Sequence, residues 1–235
     1  MSLPWLSRTD TQFPPVSQAL PDGLLAAGGD LSPERLLSAY RQGIFPWFNA
    51  DNPILWWSPD PRMVLVPEQV KLSKSLKRTL KKQPYTVTFD QDFSAVMSAC
   101  AKPRDDQQEG ESGTWIHPDM IHAYTQLHQQ GHAHSVECWD DGHLVGGLYG
   151  VAIGRVFFGE SMFSIARDSS KIALVSLCQQ LQNWGVPLID CQLYSEHLAS
   201  MGAIEIDRRD FMDTLNQFCP LAPIEASWQT PKSVA

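Results

Sequence analysis

Two apolar segments of this chain each carry an acid where a core strand should carry none. One reads Val156-Phe157-Phe158-Gly159-Glu160-Ser161-Met162-Phe163, the other Leu188-Ile189-Asp190-Cys191-Gln192-Leu193. Burying a carboxylate costs several kcal/mol unless it is paired or hydrogen-bonded. The fold must therefore place these acids on a solvated sheet face, let them satisfy a backbone turn, or build a polar site inside an apolar pocket. On a strand, Asp190 and Gln192 share one face because they are two residues apart. The last alternative turns Glu160, Asp190 and Gln192 toward one cavity.

A chain of 235 residues with eight tryptophans can build one large domain, or a large and a small one. No apolar run approaches the roughly 20 residues of a membrane-spanning helix. The start, Met1 to Arg8, lacks the charged and apolar regions of a secretory signal. The five cysteines are odd in number, scattered, and set in apolar contexts such as Cys178 and Cys219. They read as reduced thiols of a cytoplasmic protein, not as disulfides or a zinc site. His132 and His134 have no carboxylate or third histidine at ligand spacing beside them, so no metal is expected.

The net charge of −8 argues against a general nucleic-acid coat, but the basic residues are unevenly spread. Lys71, Lys74, Lys77, Arg78, Lys81 and Lys82 follow one another with no acid between them. Helical spacing puts Lys71, Lys74, Lys77, Arg78 and Lys81 largely on one side and Leu72, Leu76 and Leu80 on the other. A one-sided basic stripe on an acidic protein points to a local phosphate-binding surface.

The first sixty residues are dense in Pro, Gly and Trp, and predict a small domain ending near Pro61, with a helix capped by Ser32 and ended by Gly43. Beyond Met63, strands and helices alternate. A helix is predicted from Pro118 to about Gln130, with Met120, Ile121, Tyr124 and Leu127 inward. A meander of strands comes next, over His134–Trp139, Leu144–Ala152 and Arg155–Phe163. Then come a helix over Ser169–Trp184, a strand over Leu188–Leu193, a short helix capped by Ser195, a strand over Ala203–Ile206 and a helix over Arg209–Phe218. Asp105 to Gly113 reads as a polar loop. This order is that of an acetyltransferase-like α+β fold. A coenzyme A enzyme of that shape needs a glycine-rich turn before the helix to cradle the pyrophosphate. Ser164 to Lys171 contains no glycine and places Asp168 there, which disfavours coenzyme A as the acyl donor.

Several long motifs resemble the leucyl/phenylalanyl-tRNA–protein transferases. They are Gly23-Leu24-Leu25-Ala26-Ala27-Gly28-Gly29-Asp30-Leu31-Ser32-Pro33, Gly43-Ile44-Phe45-Pro46-Trp47-Phe48, and Trp56-Trp57-Ser58-Pro59-Asp60-Pro61-Arg62. Gly113-Thr114-Trp115-Ile116, Gly131-His132-Ala133-His134-Ser135, Gly159-Glu160-Ser161-Met162-Phe163-Ser164 and Ile189-Asp190-Cys191-Gln192 complete the set. The resemblance implies a small N-terminal α+β domain (1–62) and an acetyltransferase-like (GNAT-like) catalytic domain (63–235), with neither metal nor cofactor. It implies transfer of Leu, Phe or Met from aminoacyl-tRNA to the N-terminal amine of proteins that begin with Arg or Lys, marking them for N-end-rule degradation.

By the same resemblance, Gln192 hydrogen-bonds the attacking amine, Asp190 polarises Gln192 and helps to remove a proton, and Glu160 orients the donor. Phe157, Met162, Leu174 and Leu181 line the aminoacyl pocket with Leu148, which takes a position where the family carries Met. Trp47 stacks the terminal adenosine with Trp115 nearby, and the stripe from Lys71 to Lys82 holds the acceptor-stem backbone. An acidic mouth for the incoming Arg or Lys, and a monomer, are also expected. Two alternatives stay open at this stage: a coenzyme A-dependent acetyltransferase, and an RNA-binding module without catalysis.

Overall fold

Ser32 caps the first helix as its position predicts, its Oγ accepting from the Arg35 N–H, and Pro33 fills the first turn of α1 (Pro33–Arg41). The computed structural model describes residues 3–102, 116–223 and 228. The predicted loop from Asp105 to Gly113 and the stacking position Trp115 lie outside the described residues. Around α1, β1 (Trp5–Leu6), β2 (Leu24–Gly28), β3 (Phe45–Pro46) and β4 (Leu55–Trp57) form a four-stranded sheet in the order β1-β2-β4-β3. Trp56 is fully buried in it, and its indole N–H donates to Gly28 O at 2.9 Å.

A seven-stranded sheet comes after it. Its strands are β5 (Arg62–Leu65), β6 (Thr86–Phe89), β7 (Ala133–Asp140), β8 (His143–Ile153), β9 (Val156–Ser164), β10 (Leu188–Gln192) and β11 (Ile204–Ile206), in the order β11-β5-β10-β9-β8-β7-β6. The helices are α2 (Lys74–Lys82), α3 (Phe93–Cys100), α4 (Pro118–Gln129), α5 (Ser169–Asn183), α6 (Glu196–Ser200) and α7 (Arg208–Phe218). The predicted meander is β7, β8 and β9. Asp141 and Gly142 both take positive φ at its first turn, the geometry a tight hairpin demands. In this sheet β9 and β10 pair in parallel, and the crossover that parallel pairing requires is α5. None of the described helices is long and apolar enough to cross a membrane.

Strand alternation divides the core into two layers. Phe158 packs with Tyr40, Met97, Tyr124 and Tyr149 in one cluster. Its neighbour Phe157 packs with Leu76, Leu148, Leu174 and Leu181 in the other, with α5 and α2. Two of the sheet's bulges interrupt the alternation beside the two acids. Tyr149 pairs with Ser161 and Gly150 with Gly159, so Glu160 is the extra residue on β9. Asp190 pairs with Val64 and Gln192 with Met63, so Cys191 is the extra residue on β10. The β9–β10 pairing reaches Asp190 and Phe158, whereas β9 continues to Ser164. The two strands therefore part where both are bulged, and bulges of this kind re-aim side chains.

Gly150 lies opposite the first bulge, where a Cβ would stand 2.2 Å from Phe158 O and 2.6 Å from the Phe157 ring. Gly150→Ala is expected to cost about 1–3 kcal/mol through overpacking, read as a lower urea midpoint at unchanged slope.

Candidate active site

Asp190 is fully buried, and its charge is met in full. Arg62, equally buried, donates from Nε to Oδ1 at 2.8 Å and from Nη2 to Oδ2 at 2.7 Å. The guanidinium also donates from Nη1 to Gly43 O at 3.1 Å and lies 4.7 Å from the ring centroids of both Phe45 and Phe211. Asp190 Oδ1 takes one further bond, from the backbone N–H of Gln192 at 2.9 Å. Gln192 sits at φ +64. From this left-handed turn its side chain reaches into the parting of the strands.

The Gln192 side chain meets Glu160 there. Its Nε2 donates to Glu160 Oε1 at 2.7 Å, and the same oxygen accepts from the Tyr40 hydroxyl at 2.7 Å. Oε2 accepts from the Tyr124 hydroxyl at 3.0 Å, and the two phenol oxygens touch each other. Burial pushes the Glu160 carboxyl up from its ordinary 4.5 to about 7, and the nearby Asp190 charge adds to the rise. The bonds from Tyr40, Tyr124 and Gln192 oppose it. The same burial, reinforced by the Glu160 charge, holds the Tyr40 and Tyr124 phenols well above their usual range, so both remain donors at neutral pH. Tyr149 is raised in the same way, and among the described residues its buried hydroxyl finds no hydrogen-bond partner.

Asp190 and Gln192 lie on one side of the sheet, as their spacing predicts: the Arg62 partner of Asp190 packs on Phe45 and Phe211, and the Glu160 partner of Gln192 meets Tyr40, all in one core layer, while Cys191 between them packs in the other. The Asp190 oxygens are engaged by Arg62 and the Gln192 backbone N–H, and the Gln192 side-chain amide donates to Glu160. The residues that complete the cluster, Arg62, Tyr40 and Tyr124, went unassigned in the sequence. A cation opening the apolar run Arg62-Met63-Val64-Leu65 was the available signal for the first.

The proposed pocket residues lie on the α5 side of the sheet. Leu148 pairs with Met162 across β8 and β9. Leu148, Phe157, Leu174 and Leu181 are buried, while Met162 is partly exposed. Trp47 is 41% exposed, its ring 5.5 Å from that of Trp57, whose indole N–H donates to Trp47 O at 2.7 Å. On α2, Lys74, Lys77, Arg78, Lys81 and Lys82 are exposed over buried Leu76 and Leu80. Lys71 precedes the helix instead of joining its face, its N–H bonded to Met201 O at 2.8 Å. Arg167, which the sequence pattern did not mark, reaches α2 by donating to Ser75 Oγ at 3.2 Å and widens the basic surface. His134 pairs with Asp90 at 2.7 Å and stacks on Trp228, which accounts for it structurally. Among the described residues no three His, Cys, Asp or Glu groups are placed to hold a metal ion.

Asp190→Ala strands a buried guanidinium and is expected to cost about 3–5 kcal/mol of stability. Gln192→Ala leaves the ion pair whole and costs a small fraction of that; urea unfolding of the two variants checks the contrast. Glu160 acts in the opposite sense. With its carboxyl raised from 4.5 to about 7, its contribution to stability is full below pH 4.5 and is lost as pH climbs to about 7. Glu160→Gln is therefore expected to gain on the wild type across that window in urea titrations at successive pH values.

The family model for the leucyl/phenylalanyl-tRNA protein transferase matches residues 64–216, and that for the N-terminal domain of the same transferase matches residues 29–60. A leucyl/phenylalanyl-tRNA–protein transferase of Nitrosomonas europaea is 64% identical over 222 residues, covering 94% of this chain and 92% of that protein. One from Saccharophagus degradans is 54% identical over 238 residues, covering 97% and 96%. Among solved structures, L-PGS from Bacillus licheniformis aligns with a TM-score of 0.38 and 10% identity over 79% of this chain and 62% of that one, too loose a likeness to bear on the fold. By the extent and identity of these matches, the chain belongs to the leucyl/phenylalanyl-tRNA–protein transferase family.

Proposed function

We propose that this chain moves leucine, phenylalanine or methionine from the 3′ end of charged tRNA onto the N-terminal amine of a protein that begins with Arg or Lys, forming a peptide bond. The observation that carries this reading is the meeting of Gln192 and Glu160 where β9 and β10 part. The donor ester is already activated. The acceptor amine, with a pKa of about 7.7–8.0, is partly neutral near pH 7. Positioning then contributes most of the catalysis, on the order of 7–11 kcal/mol for well-oriented reactants.

Gln192 hydrogen-bonds the amine, and Glu160 orients the ester. Asp190, held by Arg62, acts at one remove by accepting from the Gln192 backbone N–H. The donor side chain enters on the α5 side past Met162, whose flexible thioether adapts to Leu, Phe or Met, with Leu148, Phe157, Leu174 and Leu181 behind it. Trp47 offers a face to the terminal adenine, and the α2 surface with Arg167 takes the phosphates. The proposed small unit, residues 1–62, presents Trp47, with Arg62 itself opening β5 of the large sheet, and residues 63–235 are assigned to a GNAT-like catalytic unit. Coenzyme A fits this unit poorly. Asp168 occupies φ +61 at the start of α5, its carboxylate accepting from Thr79 at 2.9 Å, and a pyrophosphate there would face a negative charge.

The test uses radiolabelled Leu-tRNA with a protein beginning with Arg and a twin beginning with Met. The expected result is transfer to the Arg protein alone, lost in Gln192→Ala while tRNA binding persists. No transfer to either protein would overturn the reading. Trp47→Ala is expected to weaken binding of charged tRNA by about 1–3 kcal/mol, the worth of one stacked base. Lys77→Ala and Lys81→Ala are expected to flatten the salt dependence of binding, as lost phosphate contacts require.

A further inference from the structure

Aminoacyl transfer, the reading on which this inference rests, leaves a proton to be moved. When the amine nitrogen attacks the ester carbonyl carbon, the new N–C bond leaves one proton too many on nitrogen. When the C–O bond to the ribose breaks, the departing oxygen lacks one. A single group that accepts the first proton and returns it to the oxygen balances the reaction, with no oxidant, reductant or co-reactant. That group needs an open lone pair at the parting of β9 and β10.

Asp190, like Glu160, is met by three donors, but it is fully buried and ion-paired with Arg62, whereas Glu160 is partly exposed where the strands part. Gln192 is an amide and does not exchange a proton in this range. Tyr40 and Tyr124 are protonated donors, already committed to Glu160. Glu160 remains. A carboxylate offers about four lone-pair sites, and Tyr40, Tyr124 and Gln192 take three of them, two on Oε1 and one on Oε2.

We propose that Glu160 is the catalytic residue that carries this proton from the attacking amine to the departing ribose oxygen, with Tyr40 and Tyr124 as positioning residues that hold its carboxyl in place from α1 and α4. The titratable groups that face Glu160 are Tyr40, Tyr124, Tyr149 on β8, and Asp190 on β10, the last neutralised by Arg62. Apart from Asp190, which Arg62 pairs, all are neutral donors near pH 7. A carboxyl that titrates close to neutrality is suited to both halves of a shuttle. Each phenol stabilises the charged form by hydrogen bonding, so removing either one raises the pH at which Glu160 becomes a base.

Single-turnover transfer from Leu-tRNA to a peptide beginning with Arg, followed from about pH 6 to 9, tests this. Ionisation of the acceptor amine is common to every variant and divides out when each rate is expressed per neutral amine. The wild type is then expected to show a remaining limb that rises through about pH 7, where the Glu160 carboxyl titrates. Glu160→Gln is expected to lose that limb and to fall roughly 10²–10⁴-fold on its plateau, the usual range for general acid–base catalysis. Tyr40→Phe and Tyr124→Phe are expected to move the limb to higher pH, losing most rate at the acid end and recovering toward wild type at pH 9.

Charged-tRNA binding by each variant separates lost chemistry from a lost site. A limb retained in Glu160→Gln, or tyrosine variants that lose the same factor at every pH, would overturn the proton-carrying role while leaving the transferase reading intact. A wild type that transfers nothing would overturn both.

Discussion

The structure turns on one buried ion pair. Taking Arg62 and Asp190 out of water is costly, and such pairs often hold less stability than a well-packed apolar replacement. What this pair supplies is placement. The guanidinium bridges β5 to β10, donates to the carbonyl of Gly43 at the end of the α1 turn, and is held between Phe45 of the four-stranded sheet and Phe211 of α7. One cation thereby fixes the relation of the small sheet, the large sheet and the last helix. Its counter-ion then holds the Gln192 N–H in the left-handed turn from which the side chain reaches the site.

The two acids on β9 and β10 are set apart by their surroundings. Asp190 has a full positive charge against it, in a bidentate ion pair. Among the described residues, the hydrogen bonds to Glu160, across the parting strands, come from neutral donors, and burial raises it to about 7. Divergent environments for neighbouring carboxyls are a recurrent way to separate a structural acid from one that exchanges protons. Here the separation depends on an arginine that reaches one carboxylate bidentately and is kept from the other.

Much of this was legible in the chain. The meander, its Asp141-Gly142 turn, the Ser32 and Ser195 caps and the α5 crossover stem from local chemistry, and the structure places each within a residue or two of its predicted bounds. The anomaly of two acids in apolar runs drew attention to the strands that meet at the cluster. The two bulges were hidden, because a bulge is a mismatch between paired strands and no single strand carries its signature. Spacing put Asp190 and Gln192 on one side of the sheet, where they lie, but it did not show the left-handed turn at Gln192 or the reach of its side chain to Glu160. Tyr124 was read as core, and it is buried as predicted, but nothing local to α4 says that its hydroxyl ends on a carboxylate from β9. The partner of Asp190 was equally remote, since Arg62 belongs to a strand whose neighbours come from the far end of the chain.

That remoteness shapes how the protein comes into being. Arg62 and Asp190 stand 128 residues apart, and β5 has β10 and β11 as its sheet neighbours. On the ribosome, Arg62 emerges long before its counter-ion, and until then the cation is left to water instead of the sheet. Closing so long a loop is entropically slow. The cluster where β9 and β10 part thus belongs to the last stage of assembly: a nascent chain that can already fold the meander still lacks the strand that carries Asp190 and Gln192.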